Sequence, residues 1–124
     1  AIGHALHWPD RRALPVERLD LAAIGSLSFR AADEARWPAL RLAREVMAAG
    51  GGAGAIFNAA KEQALDGFIA GRIGFADMAT VVETALENLH SISDTASPLG
   101  LEAVMVLDQR ARQEAQRVMD AFEQ

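Results

Sequence analysis

Residues 50–74 read GGGAGAIFNAAKEQALDGFIAGRIG, with glycines at both ends and an alanine-rich helical pattern between them. One face of the predicted helix carries four residues at steps of four, three and four: Asn58, Glu62, Leu65 and Ile69. A second, apolar stripe follows the same period: Phe57, Ala60, Ala64 and Phe68. A helix with apolar residues on two sides is typical of one surrounded by neighbours. The stretch therefore predicts the central helix of a small bundle.

The composition limits what the chain can be. Its 124 residues suffice for one domain, and 51% of them are hydrophobic, which allows a packed core. Without cysteine, disulfides, thiolate metal sites and a cysteine nucleophile are excluded. The net charge of −5 and the absence of a basic cluster argue against nucleic-acid binding. No apolar run reaches the roughly 20 residues of a membrane span, and no secretory signal is visible.

The sequence pattern predicts three more helices, one before the central helix and two after it. Trp37-Pro38 places a proline at a first helical position, and Gly50 provides a left-handed stop. Asp77 is positioned to cap a third helix, and a polar loop precedes the fourth. The pattern predicts an all-α four-helix bundle over residues 37–124, with these helices: Trp37 to about Ala49, Ala55–Ala70, Asp77–His90 and Pro98–Phe122.

Residues 1–36 have a different character, because Pro9 and Pro15 interrupt any helical period. The segment Leu19–Phe29 shows a patchy alternation of apolar residues, broken at Gly25, which indicates a possible short strand. A lone strand needs a neighbour. We therefore predict an extended linker arm, which lies either against another structure or as a strap over its own bundle.

Three polar residues fall on helix faces assigned to the core: Asn58, Glu62 and Asp108. Buried carboxylates need partners, and Lys61 and Arg112 are candidate counter-charges, with Arg112 four residues beyond Asp108. One interpretation is a proton-transfer dyad of Glu62 and Asp108. The other, which we favour because no nucleophile or cofactor motif accompanies them, is a structural polar network that fixes helix register.

Two further patterns carry little weight as binding sites. His4 and His7 lie three residues apart and precede Asp10, but no third ligand falls in phase, so ordinary packing histidines are the better interpretation. The glycines of residues 50–54 match neither the P-loop pattern GxxxxGK(S/T) nor the dinucleotide-binding pattern GxGxxG. This favours a flexible interhelical turn. We predict no catalytic, cofactor-binding or metal-binding residue in this chain.

Taken together, the segments resemble the 1-deoxy-D-xylulose 5-phosphate reductoisomerase family. The resemblance covers essentially the whole chain and rests on six spaced motifs: IGHALHWPDR (2–11), LDL (19–21), SLSF (26–29), ADEARWPALRLA (32–43), FNAAKE (57–62) and FIAGRIGF (68–75). Two positions depart from the family pattern. Lys61 stands where asparagine is usual, and Ala1 stands where a proline is common.

The resemblance implies that this chain is a linker plus a C-terminal helical domain. The family's NADPH-binding domain, its metal-binding carboxylates and its substrate-phosphate residues belong to parts of the enzyme that precede this segment. In the full-length enzyme the resemblance implies conversion of 1-deoxy-D-xylulose 5-phosphate to 2-C-methyl-D-erythritol 4-phosphate. That reaction is a skeletal rearrangement followed by hydride transfer from NADPH, assisted by Mg or Mn, in non-mevalonate isoprenoid biosynthesis.

The resemblance also implies partners and a location. The partner of this segment would be the catalytic domain of the same polypeptide, in a bacterial cytoplasmic enzyme that forms a homodimer. The alternative is a stand-alone helical module that uses the arm to bind a partner protein. An unpaired strand near Ser26–Phe29 would also favour pairing of the arm with a second copy of the chain.

Overall fold

The computed structural model describes residues 2–93 and 99–122, which form seven helices and no strand. The chain divides into two compact units, Ala1–Ala31 and Ala32–Gln124. Within the described residues, no helix is both long enough and apolar enough to span a membrane. The predicted all-α class is confirmed.

The first unit contains two short helices, α1 (Ile2–His7) and α2 (Leu21–Ile24). The Asp20 side chain accepts hydrogen bonds from the backbone N–H groups of Ala22 and Ala23 at 2.9 and 3.1 Å, which caps α2. The possible strand within Leu19–Phe29 is therefore not confirmed, since its middle is a capped helical turn and the described residues offer it no partner strand.

The second unit contains four helices of at least 12 residues and one short turn of helix. They are α3 (Pro38–Ala49), α4 (Ala53–Ile69), α5 (Asp77–Asn88), α6 (His90–Ser93) and α7 (Leu101–Phe122). Pro38 occupies the start of α3 as predicted, whereas the predicted start at Pro98 lies outside the described residues. The short helix α6 was not among the predicted elements.

Helix α4 is the centre of this unit, as predicted, because it packs against α3, α5, α6 and α7. Its buried residues are small except for one: Ala53, Ile56, Ala59, Ala60, Ala64 and Gly67. Small side chains let neighbouring helices approach closely. Gly67 shows this directly, because a Cβ atom there would overlap the sulfur of Met119 on α7.

The core consists of two adjoining clusters of buried residues. The larger joins α4 to α5 and α7 through Ala64, Val81 and Met119, and the smaller joins α4 to α7 through Ile56 and Leu107. The buried residues of α5 are Val81, Val82 and Ala85. Those of α7 are Leu107, Ala111, Ala115, Val118 and Met119, and Leu101 is exposed.

Two local predictions concern the helix ends. Gly50 closes α3 with φ 67°, in the region that favours glycine, as predicted. The prediction that Asp77 caps α5 is wrong, since Asp77 is the first residue of the helix. Its carboxylate accepts a hydrogen bond from the Gly74 backbone N–H at 2.8 Å, and so stabilises the turn before the helix.

Candidate functional site

The three predicted polar residues meet around Arg112, which projects from α7. The Arg112 guanidinium donates to the Glu62 carboxylate on α4 at 2.7 Å. It also donates twice to Asp108, from Nε at 2.8 Å and from Nη2 at 3.2 Å. The predicted pairing of Arg112 with Asp108 is confirmed. One cation thus joins a carboxylate on its own helix to one on α4.

Asn58 extends this arrangement along α4. Its amide nitrogen donates to Glu62 at 3.1 Å, and its carbonyl oxygen accepts from Lys61 Nζ at 3.1 Å. Lys61 therefore contacts the Asn58 amide rather than a carboxylate. We call the five residues the Arg112 network: Asn58, Lys61, Glu62, Asp108 and Arg112.

The predicted burial of this network is wrong. Asn58 is exposed, and the side chains of Glu62 and Asp108 are 46% and 38% exposed. Leu65 and Ile69 continue the same face of α4 and are exposed as well. The small residues of α4 form the contact face instead, because they allow α5 and α7 to approach, and this turns the polar face toward solvent.

The electrostatics of the network oppose proton transfer. The hydrogen bond from Arg112, followed by that from Asn58, lowers the pKa of Glu62 below its usual range. The two carboxylates raise the pKa of Arg112, with the Asp108 hydrogen bond contributing most. An ionised carboxylate held by a guanidinium is a weak general base at neutral pH. The geometry suits a bridge between two helices.

The histidines of the arm do not form a metal site with described residues. His4 and His7 both lie on α1, although this segment was not expected to be helical. The ring of His7 lies 2.8 Å from the Gly3 carbonyl oxygen, and the ring of His4 stacks edge-on against Trp8 at 5.2 Å. In the described parts of the chain, no group of three or more His, Asp or Glu side chains could hold a metal ion.

The glycine-rich segment is a turn between α3 and α4. Gly50 and Gly51 have φ values of 67° and 51°, which side chains rarely adopt, and Gly52 precedes α4. This backbone reverses the chain within three residues. The geometry accounts for the glycines without a bound phosphate.

Two ion pairs between residues far apart in the sequence were not found by sequence reasoning. Arg41 on α3 donates to Glu83 on α5 at 2.6 Å, and Arg72 donates to Asp120 on α7 at 2.7 Å. The partners are 42 and 48 residues apart, so no local spacing could have indicated them. Both pairs are partly exposed and serve to tie neighbouring elements together.

The second unit also carries two grooves. One, of about 460 Å³, lies beside α3 and α5 and has charged walls that include Arg41, Glu45 and Glu87. The other, of about 400 Å³, is almost entirely apolar, and we call it the apolar groove. Its principal lining residues are Trp37, Leu42, Phe57, Phe75, Met78 and Val82. Glu62 and Asp108 line neither of these two grooves.

Comparison with known proteins connects this geometry to a family. The sequence pattern described as the DXP reductoisomerase C-terminal domain matches residues 1–114. A 1-deoxy-D-xylulose 5-phosphate reductoisomerase of Ruegeria pomeroyi is 60% identical over 120 residues, which cover 96% of this chain and 30% of the relative. The same enzyme of Paracoccus denitrificans is 61% identical over 116 residues, covering 93% and 30%.

Solved structures agree with these relatives. The reductoisomerase from Zymomonas mobilis in complex with NADPH has a TM-score of 0.78 at 41% identity, covering 95% of this chain and 30% of that one. A DOX-P reductoisomerase in complex with magnesium has a TM-score of 0.83 at 34% identity, covering 99% and 32%. The chain spans about 30% of the length of the curated relatives it matches. Because the family pattern extends over residues 1–114, the chain belongs to the DXP reductoisomerase C-terminal domain family.

Proposed function

We propose that this chain is the non-catalytic, structural C-terminal part of a 1-deoxy-D-xylulose 5-phosphate reductoisomerase. The full-length enzyme would convert that substrate to 2-C-methyl-D-erythritol 4-phosphate with NADPH and Mg or Mn. The observation that carries the proposal is the match of residues 1–114 to the family's C-terminal domain, in a chain that spans about 30% of its relatives. The chemistry would then belong to the remaining part of the polypeptide.

We propose that the cofactor and the metal of such an enzyme are bound outside this chain. No glycine-rich dinucleotide motif follows a strand, and the described residues form no group of three metal-binding side chains. The two carboxylates of the candidate dyad, Glu62 and Asp108, already form ion pairs with Arg112. We therefore assign no catalytic step to any residue of this chain.

The structural role would be to support the catalytic domain of the same polypeptide. We propose a linker arm over residues 1–36 and a helical domain over residues 37–124. Among the described residues 2–36 none is buried, and large apolar side chains are exposed, among them Trp8, Leu19 and Phe29. Such apolar surface favours a covering partner. We propose that the full-length enzyme is a cytoplasmic bacterial homodimer.

A stand-alone binding module is the less favoured function. The match to reductoisomerases covers 96% of this chain, whereas it accounts for only 30% of the relative. If the chain acted alone, the difference between these two coverages would have no explanation. It is expected if the chain is one part of a larger enzyme.

The proposal is tested by steady-state NADPH oxidation in the presence of 1-deoxy-D-xylulose 5-phosphate and Mg. The full-length polypeptide that contains this chain should turn over, and residues 1–124 alone should not. A variant of the full-length protein that lacks residues 1–124 should lose activity, because its catalytic domain would lack its support. Turnover by residues 1–124 alone, or full activity of the truncated protein, would contradict the structural role.

A further inference from the structure

The apolar groove is a concave, partly open surface formed by described residues of the second unit. It lies between the start of α3 and the start of α5, with Phe57 of α4 forming part of its wall. Two aromatic side chains line it and remain exposed, Trp37 at 48% and Phe75 at 65%. Exposed aromatic residues around a concave apolar surface are typical of a protein-binding site.

The aromatic residues of the groove are held in place by neighbouring side chains. Phe75 packs edge-on against Phe68 with ring centroids 5.8 Å apart. The Arg36 guanidinium lies over the Trp37 ring at 5.2 Å, a cation–π contact. Both rings are therefore ordered without a partner. A preformed groove costs less conformational entropy on binding than one that must assemble.

The charge around the groove selects the chemistry of its occupant. Two charged residues line it, Arg36 and Lys61, and both are cationic. The remaining lining residues are apolar. An occupant that places apolar side chains inside and a carboxylate at the rim would match both features.

A second copy of this chain fits the groove poorly. If the groove lay on the axis of a two-fold symmetric dimer, two concave surfaces would face each other and enclose a void instead of a packed interface. The polypeptide outside this chain is the better occupant. About 70% of each relative lies outside the matched segment, and because that segment matches the family's C-terminal domain, we infer that this further polypeptide precedes it in the full-length enzyme.

We propose that the apolar groove seats an apolar segment, flanked by a carboxylate, from the polypeptide that precedes residue 1 in the full-length enzyme. This inference rests on the proposed function, since it names the surface through which the helical domain supports the catalytic domain. Trp37 and Phe75 would be the anchors, and Arg36 and Lys61 would pair with the carboxylate.

Photo-cross-linking of the full-length enzyme tests the inference. Phe75 is replaced by the photoreactive amino acid p-benzoylphenylalanine, the enzyme is irradiated, and cross-linked peptides are mapped by mass spectrometry. We expect adducts to one apolar segment preceding residue 1 that contains Asp or Glu. Adducts to residues 1–31, covalent dimers, or no adducts would each overturn the proposal.

A matched pair of substitutions adds an independent check. With the photoreactive residue at Trp37, a Phe75→Arg substitution should abolish the cross-link to the preceding segment. Met105→Arg should leave it unchanged, because Met105 is also exposed but lies on α7 and does not line the groove. An unchanged cross-link in the Phe75→Arg protein would overturn the proposal. NADPH oxidation measured on the same samples separates the two claims, since an active enzyme without the cross-link refutes only the docking surface.

Discussion

Arg112 on α7 donates a 2.7 Å hydrogen bond to Glu62 on α4. The two residues are 50 positions apart in the chain, and the same guanidinium also binds Asp108. This contact joins the central helix to the longest helix of the domain at the protein surface. The geometry is that of an ion bridge between two helices, and its effects on stability and on catalysis can be measured separately.

Removing the bridging cation should destabilise the fold only modestly. The Arg112 side chain is 36% exposed, and water screens its ion pairs. We expect Arg112→Met to lower the free energy of unfolding by at most about 1 kcal/mol, the upper range for exposed ion pairs. Urea denaturation measures the change, and Arg110→Met on the exposed side of α7 is the control. Losses of equal size in both variants would show that the network contributes nothing specific.

The stability should decrease in acid partly through Glu62. Its pKa is lower in the folded protein than the ordinary value of 4.5, because Arg112 and Asn58 stabilise the carboxylate. A group with a depressed folded pKa contributes stability above its unfolded pKa, and this contribution is lost as pH falls through the folded value. Glu62→Gln should therefore weaken the decline in the urea midpoint below about pH 4.5.

The control for this experiment is Glu87→Gln, which removes a carboxylate from an exposed position on α5. This variant measures the effect of removing a carboxylate outside the Arg112 network. If Glu62→Gln and Glu87→Gln have the same profile, the Arg112 bridge is not formed in solution.

Two glycines of α4 should respond in opposite directions to alanine. A Cβ on Gly67 would overlap the sulfur of Met119, which is fully buried and has little room to move. We expect Gly67→Ala to destabilise the fold by about 1–3 kcal/mol, the usual cost of overpacking. At Gly54 nothing lies within 4 Å of the added Cβ, so Gly54→Ala should be neutral or stabilising by up to about 1 kcal/mol.

Urea unfolding of the two glycine variants provides the comparison. Equal stability of Gly67→Ala and the unsubstituted protein would mean that α4 and α7 do not approach as closely as the structure indicates. In that case, close packing against α7 would not explain the glycine at position 67.

Glu62 and Asp108 should be dispensable for the chemistry of the full-length enzyme. The double variant Glu62→Gln, Asp108→Asn keeps the side-chain shapes and removes both charges. We expect kcat/KM for NADPH-dependent turnover to stay within about two-fold of the unsubstituted enzyme. Loss of a general acid or base would instead reduce it by roughly 10²- to 10⁴-fold. A reduction of that size in a protein of unchanged thermal stability would restore the acid–base interpretation.

Local sequence signals predicted much of the helical architecture. Pro38 marks the start of α3 and Gly50 its end, since the backbone preferences of proline and glycine act at their own positions. The central position of α4 followed from its two apolar stripes. The orientation of α4 did not follow, because small residues such as Ala59 and Gly67 decided which side packs against neighbours. A helical periodicity does not by itself distinguish a close-packing face of small residues from an exposed face bearing Leu65 and Ile69.

The candidate site was predictable only in part. The contact between Asp108 and Arg112 follows from their spacing of four on one helix. The bridge to Glu62 depends on how α4 and α7 cross, which no local pattern specifies. The apolar groove was missed for the same reason, since Trp37 and Phe75 come together only in the folded domain. The sequence indicated only that each is an aromatic residue close to the start of a predicted helix.

The central claim is that the chemistry of this enzyme belongs to the polypeptide outside this chain. Calorimetric titration with NADPH tests it most directly, with residues 1–124 in one cell and the full-length enzyme as the positive control. Circular dichroism first confirms that the shorter chain is helical. We predict saturable heat from the full-length enzyme and none from residues 1–124. Saturable micromolar binding by residues 1–124 would contradict the account.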